Sequence, residues 1–212
     1  MGVVVDQGRI IFIHVIKTGG TSISRALLER FPGAAQRLEG LEGFSTHFRS
    51  LPEDRRFGIR RPDHATAANI RDFLGAPIWE KAETFAVVRN PWDLVYSLYS
   101  FIRSNRLHRS HQGMQSVRFD DFVASDMTIQ WNSQWDLLSD WGQPLVKHIL
   151  RFEHLGTDYA ALAARLGFDG RLDHLNRFPH RDFREAYSPR TRDLVADRFA
   201  ADLDRFGYTF PT

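Results

Sequence analysis

Three short apolar runs, each followed by a helical pattern, constrain this chain more than its composition does. They are IIFIHV (Ile10–Val15), TFAVVR (Thr84–Arg89) and VKHILRF (Val146–Phe152). None alternates polar with apolar residues along its length. Such runs suit strands buried on both faces, as in a parallel sheet. The helical patterns between them carry their own stop signals. One runs from about Thr21 to Phe31 and ends at Pro32-Gly33. Another, DHATAANIRDFLG, has Asp63 as its expected cap and Gly75 as its stop. NPWDLVYSLYSFIRSN starts with Asn90 as cap and Pro91 in the first turn. EHLGTDYAALAARLG ends at Gly167, and a last helix has Ser188 as cap and Pro189 at its start. Strands alternating with helices predict an α/β fold: a central parallel sheet with helices on both faces, forming a single domain over residues 1–212.

The pattern fades between Gly33 and Pro62, read as an irregular insertion with a short helix. The polar segment Arg106–Gly113 is equally uninformative. Trp131, Trp135 and Trp141 are expected to pack in the core rather than to stack on a ligand.

Composition narrows the function classes. The chain has 42% hydrophobic and 25% charged residues, and its formal net charge is only +2. That balance points to no polyanionic partner, and no nucleic-acid motif is present. The absence of cysteine excludes disulfides, thiolate metal sites and a cysteine nucleophile. The histidines lack metal-ligand spacing. No apolar run approaches the roughly 20 residues that span a bilayer, and the start has no signal-peptide pattern. The expectation is a soluble, cytoplasmic protein without an integral membrane segment.

Two strand-to-helix junctions carry candidate chemistry. In the first, KTGGTS closes one strand and opens a helix. Gly19 and Gly20 allow close backbone approach, the helix start is positive, and Lys17, Thr18, Thr21 and Ser22 add a charge and hydroxyls. It reads either as an anion cradle or as an ordinary turn with a capping threonine. In the second, Arg89 ends a strand and Ser97 lies two turns into the next helix. Arg89 can fork a phosphate or pair with Asp93; Ser97 can bind a ligand or simply belong to a polar stripe with Asp93, Ser100 and Ser104.

Together, FIHVIKTGGTSI and FAVVRNPWDLVYSLYSF resemble the sulfotransferases that use 3′-phosphoadenosine 5′-phosphosulfate, in the branch of bacterial and carbohydrate enzymes. DHATAANIRDFLG, ILRFEHL and DLDRFGYTF extend the resemblance over most of the chain. It implies a P-loop-like three-layer sandwich. It also implies that Lys17, Thr18, Gly19, Gly20, Thr21 and Ser22 hold the donor's 5′-phosphosulfate, and that Arg89 and Ser97 hold its 3′-phosphate. Lys17 would stabilise the leaving group. His64 matches the place of the family's histidine base, with Asp63 orienting it or only capping the helix, while His14 is read as structural. The basic loop LNRFPHRDFREAY supplies Asn176 and Arg181 as further nucleotide contacts, unless it is only a solvated surface. The implied acceptor is a hydroxyl on a sugar or glycoconjugate, the product nucleotide is adenosine 3′,5′-bisphosphate, and no metal is required. Ile16 departs from the family, which commonly has proline there. The rival readings are an ATP-dependent kinase or triphosphatase, which would place its lysine after the glycines, and a nucleotide-binding module without catalysis.

Overall fold

The computed structural model describes residues 2–56, 59, 61–125, 133–172 and 182–211. Its elements, in chain order, are β1 (Val3–Val5), β2 (Ile10–Ile13), α1 (Gly20–Arg30), β3 (Ala35–Arg37), α2 (Phe44–Ser50), α3 (Glu53–Arg56), α4 (Ala67–Leu74), α5 (Ala76–Lys81), β4 (Glu83–Val88), α6 (Pro91–Ser104), α7 (His111–Met114), α8 (Phe119–Ala124), α9 (Gln134–Leu138), β5 (Ser139–Asp140), β6 (Gln143–Pro144), β7 (His148–Arg151), α10 (Leu155–Leu166), α11 (Pro189–Arg198) and α12 (Ala200–Phe206). They fall into two compact units. The first spans Met1–Val88 and Gln134–Leu175; the second spans Arg89–Ser133 and Asn176–Thr212.

In the first unit, the three apolar runs form β2, β4 and β7, which pair in parallel. The five-stranded sheet has the order β3–β1–β2–β4–β7. It is mixed, not wholly parallel, because β1 runs antiparallel to both β2 and β3. Only a tight turn through Asp6–Gly8 joins β1 to β2, far too little chain for a parallel crossover, so the two must fold back as a hairpin. One sheet face carries Val3, Val5, Ile10, Phe12, Phe85, Val87 and Leu150. These pack with Ile23 and Leu27 of α1 and with Tyr159, Leu162 and Ala163 of α10. Alternate residues point to the other face, and there Val4, Ile11, Ile13, Ala86 and Val88 are buried too. Burial on both faces explains why the β2 and β4 runs show no polar alternation, while β7, at the sheet edge, buries only Leu150. The carboxyl ends of β2, β4 and β7 share one sheet edge, and the KTGG turn opens there.

The insertion is more ordered than its sequence pattern suggests. It holds β3, α2 and α3. Asp63 does not cap α4. Thr66 does: its hydroxyl accepts from the Asn69 N–H at 3.1 Å, and the Asn69 side chain accepts from the Thr66 N–H at 3.3 Å. Asp63 instead lies in a single 3-10 turn, Pro62–His64, and accepts two hydrogen bonds from Arg61 at 2.9 and 2.8 Å. The Asn69 amide donates to the Arg55 carbonyl at 2.9 Å, tying α3 to α4. Asp140 accepts from Arg55 at 3.1 Å and from Arg71 at 2.8 Å, which pins the β5–β6 hairpin to the same pair of helices. Trp141, at the tip of that hairpin, is 89% exposed. Its expected place in the core is therefore wrong. With Gly142 it forms the two-residue turn of the hairpin, and both residues have positive φ.

In the second unit, Asn90 caps α6 by accepting from the Trp92 N–H at 3.1 Å, and Pro91 opens the helix. Trp92 Nε1 donates to the Arg192 carbonyl at 3.0 Å, and the Tyr187 hydroxyl donates to the Trp92 carbonyl at 2.8 Å. The first bond joins α6 to α11, and the second ties α6 to the residue just before the α11 cap. Ser188 caps α11 as expected. The last helical pattern does not run unbroken: it divides at Phe199, a non-helical residue between α11 and α12. Among the described residues, no helix is long and apolar enough to cross a membrane.

Candidate functional site

The glycine turn is not an ordinary capped turn. Gly19, not a threonine, is the N-cap of α1, with φ 83°, and no side chain caps the helix. The Thr18 hydroxyl donates inward to the Val15 carbonyl at 2.8 Å, so Thr18 contributes its backbone to the turn and spends its O–H donor on holding it together. Ser22 and Ile23 N–H groups bond to the Gly19 carbonyl. The N–H groups of Gly20 and Thr21 come before the helix ladder begins, as first-turn donors do. A side chain at Gly19 would press on Leu155 Cδ2 at 2.7 Å. One at Gly20 would clash with Cδ2 and Nε2 of His14. Lys17 is held in the left-handed region at φ 62°, which costs a non-glycine residue about 1–2 kcal/mol. Strain of this kind gathers where a loop is shaped for a ligand.

His64, in the Pro62–His64 turn, lies beside the same loop because His14 connects them. The His14 and His64 ring centroids are 4.7 Å apart at 40°. Asp63 is a close neighbour, with Oδ2 3.7 Å from His64 Nε2, too far for a hydrogen bond. Asp63 is therefore held by Arg61, and it does not orient His64 directly. His64 Nδ1 is buried and has no hydrogen-bond partner among the described residues. Burial lowers the His64 pKa; the Asp63 charge and a hydrogen bond to the His14 backbone act the other way without overcoming it. His14 is pushed lower still, chiefly by burial, with the nearby charges of His64, Arg61 and Lys17 adding to it. Both rings are thus neutral at neutral pH, the form in which a histidine accepts a proton.

This arrangement fixes a pH dependence. The unfolded chain protonates these histidines near the ordinary value of 6.5, while the folded chain resists protonation until lower pH. Between those limits the unfolded state binds more protons, so stability is full above about pH 6.5 and falls as the pH drops below it. Denaturation midpoints measured from pH 8 to pH 5 should decline through that window, and His14→Gln with His64→Gln should flatten the decline.

The remaining candidates lie in the second unit or beyond the described residues. Arg89 is 4% exposed, and its Nε donates to Asp93 at 2.8 Å. The ion-pair alternative for this residue is thus realised along one edge of the guanidinium. Ser97 is buried on α6. Asn176, Arg181 and Trp131 lie outside the described residues. No group of three histidine, aspartate or glutamate side chains is placed to hold a metal among the described residues.

Reading the sequence missed the part His14 plays in this arrangement. Its one signal is its position, three residues before Lys17 and just past the end of β2, at the sheet edge where the turn opens. Comparison with protein-family models, curated proteins and solved structures returned no match.

Proposed function

We propose that this chain is a sulfotransferase that moves a sulfuryl group from 3′-phosphoadenosine 5′-phosphosulfate to a hydroxyl acceptor on a sugar or glycoconjugate, in one P-loop-like three-layer domain. The observation that carries this reading is an uncapped, lysine-bearing glycine turn next to a histidine kept neutral by burial. The donor set suits an anion: first-turn N–H groups, a helix start, and a lysine on a strained backbone. Lys17, the backbone of Thr18, Gly19, Gly20 and Thr21, and the hydroxyls of Thr21 and Ser22 would hold the 5′-phosphosulfate. From the resemblance come the roles of Arg89 and Ser97 toward the 3′-phosphate, and of Asn176 and Arg181 toward the nucleotide.

In this reading the acceptor oxygen attacks sulfur as the bond from sulfur to the phosphate oxygen breaks. His64 takes the acceptor's proton. Lys17 balances the charge gained by the leaving phosphate, and adenosine 3′,5′-bisphosphate departs. Most of the acceleration would come from placing the reactants and from fixed charge, as in phosphoryl transfer. Incubation with donor carrying labelled sulfate and a panel of sugars should yield labelled sugar and adenosine 3′,5′-bisphosphate in equal amounts. ATP hydrolysis without any sulfate transfer would instead support the triphosphatase reading.

A further inference from the structure

Two sequence motifs, the glycine turn and the segment before α4, meet at the side chain of His14. On one side, its Cδ2 and Nε2 occupy the space that a Cβ on Gly20 would need. On the other, its ring lies 4.7 Å from the His64 ring, while its backbone bears on the same imidazole. Glycine at position 20 therefore serves more than backbone freedom. Gly20 is the first residue of α1, and a bare Cα there lets an imidazole sit against the helix start. Packed interiors transmit such contacts, because a side chain with no spare room cannot shift without moving its neighbours.

We propose that His14 is a positioning residue for His64: its ring touches both the Gly20 backbone and the His64 imidazole, and so fixes the orientation and proton affinity of His64 relative to the glycine turn. This rests on the reading of His64 as the base. Among the described residues the charged groups around the pair are Lys17 on the turn and Arg61 and Asp63 beside His64, and the charge of the N-terminal amino group also bears on both rings. Glu39 on the Leu38–Gly40 turn, and His47 and Arg49 on α2, belong to elements packed against Pro62–His64. All of these stay in place when His14 alone is changed, so the difference isolates its ring.

The experiment is an NMR titration of the histidines in the full chain, with the His64 signal assigned by its loss in His64→Gln. His14→Ala removes the ring that helps to bury His64, and it should raise the His64 midpoint toward the ordinary histidine value. His14→Phe keeps a ring in place and should leave that midpoint near the wild-type value. An unchanged midpoint in folded His14→Ala overturns the proposal. If His14→Ala does not fold, Gly20→Ala pushes the same ring from the other side and must move the His64 midpoint; a folded Gly20→Ala with an unaltered midpoint also overturns it. The titration needs neither donor nor acceptor, so it stands apart from the functional reading, which fails separately if adenosine 3′,5′-bisphosphate does not bind. Where transfer is measurable, the acid limb of its pH profile should move upward in His14→Ala by the same amount as the NMR midpoint. A limb that stays in place while the midpoint moves overturns the link to the base.

Discussion

Replacing His64 with alanine is expected to lower sulfuryl transfer by about 10²–10⁴-fold while leaving adenosine 3′,5′-bisphosphate binding nearly unchanged. The size follows from the role. A positioned base removes the acceptor's proton as the oxygen attacks, and without it that proton must go to water. The selectivity follows from the structure. His64 lies in the Pro62–His64 turn, while the donors of the glycine turn belong to Lys17–Ser22 and the start of α1. Truncation leaves those donors in place. Any stability change at pH 8 should come from lost packing and the bond to the His14 backbone, because His64 Nδ1 itself makes no hydrogen bond among the described residues. Single-turnover transfer and nucleotide titration on one preparation separate the two effects. Equal loss of binding and transfer would make His64 a structural support of the turn, and full retention of transfer would remove it as the base.

Replacing Lys17 is expected to separate stability from activity. Its φ of 62° belongs to glycine's range. Lys17→Gly should therefore be more stable than Lys17→Ala by about 1 kcal/mol, because both lose the ammonium but only glycine relieves the backbone. For a chain of this size that is about 2–4 °C in Tm. Both variants should lose transfer together, since the charge on the leaving phosphate then has no ammonium beside it. Parallel melting curves and transfer assays check this. A glycine variant no more stable than the alanine one would mean that the left-handed residue is not strained in solution. Transfer surviving in either would take Lys17 out of the mechanism.

The parts of the fold that were legible share a physical cause. β2 and β4 are buried on both faces, so their apolar runs stand out, and α6 and α11 begin with side-chain caps that sit beside a proline. The parts that were missed depend on contacts between distant segments. β1 has only Val3–Val5 and makes sense only once it is paired with β2. Asp63 and Thr66 are both good caps by type. Their competition is settled by Asn69, which completes a reciprocal pair with Thr66, and by Arg61, which takes Asp63. Trp141 reads as core by residue type, yet it sits at the tip of the β5–β6 hairpin and is exposed to solvent. In the candidate site, the glycine turn could be read locally because its chemistry is local. The pairing of His14 with His64 could not, since it joins the end of β2 to a turn just before α4. The long patterned segment 189–206 hid a break because Phe199 still falls at helical spacing while its own backbone leaves the helix.

The proposed function implies a preference for a nucleotide that carries a 3′-phosphate and needs no metal. Thermal unfolding with adenosine 3′,5′-bisphosphate, and separately with ATP and Mg²⁺, tests it most directly. At 100 times its Kd, a ligand that binds only the folded state stabilises it by about 2.7 kcal/mol. Tm is expected to rise by several degrees with adenosine 3′,5′-bisphosphate and by much less with ATP and Mg²⁺. A larger rise with ATP and Mg²⁺ would contradict that preference.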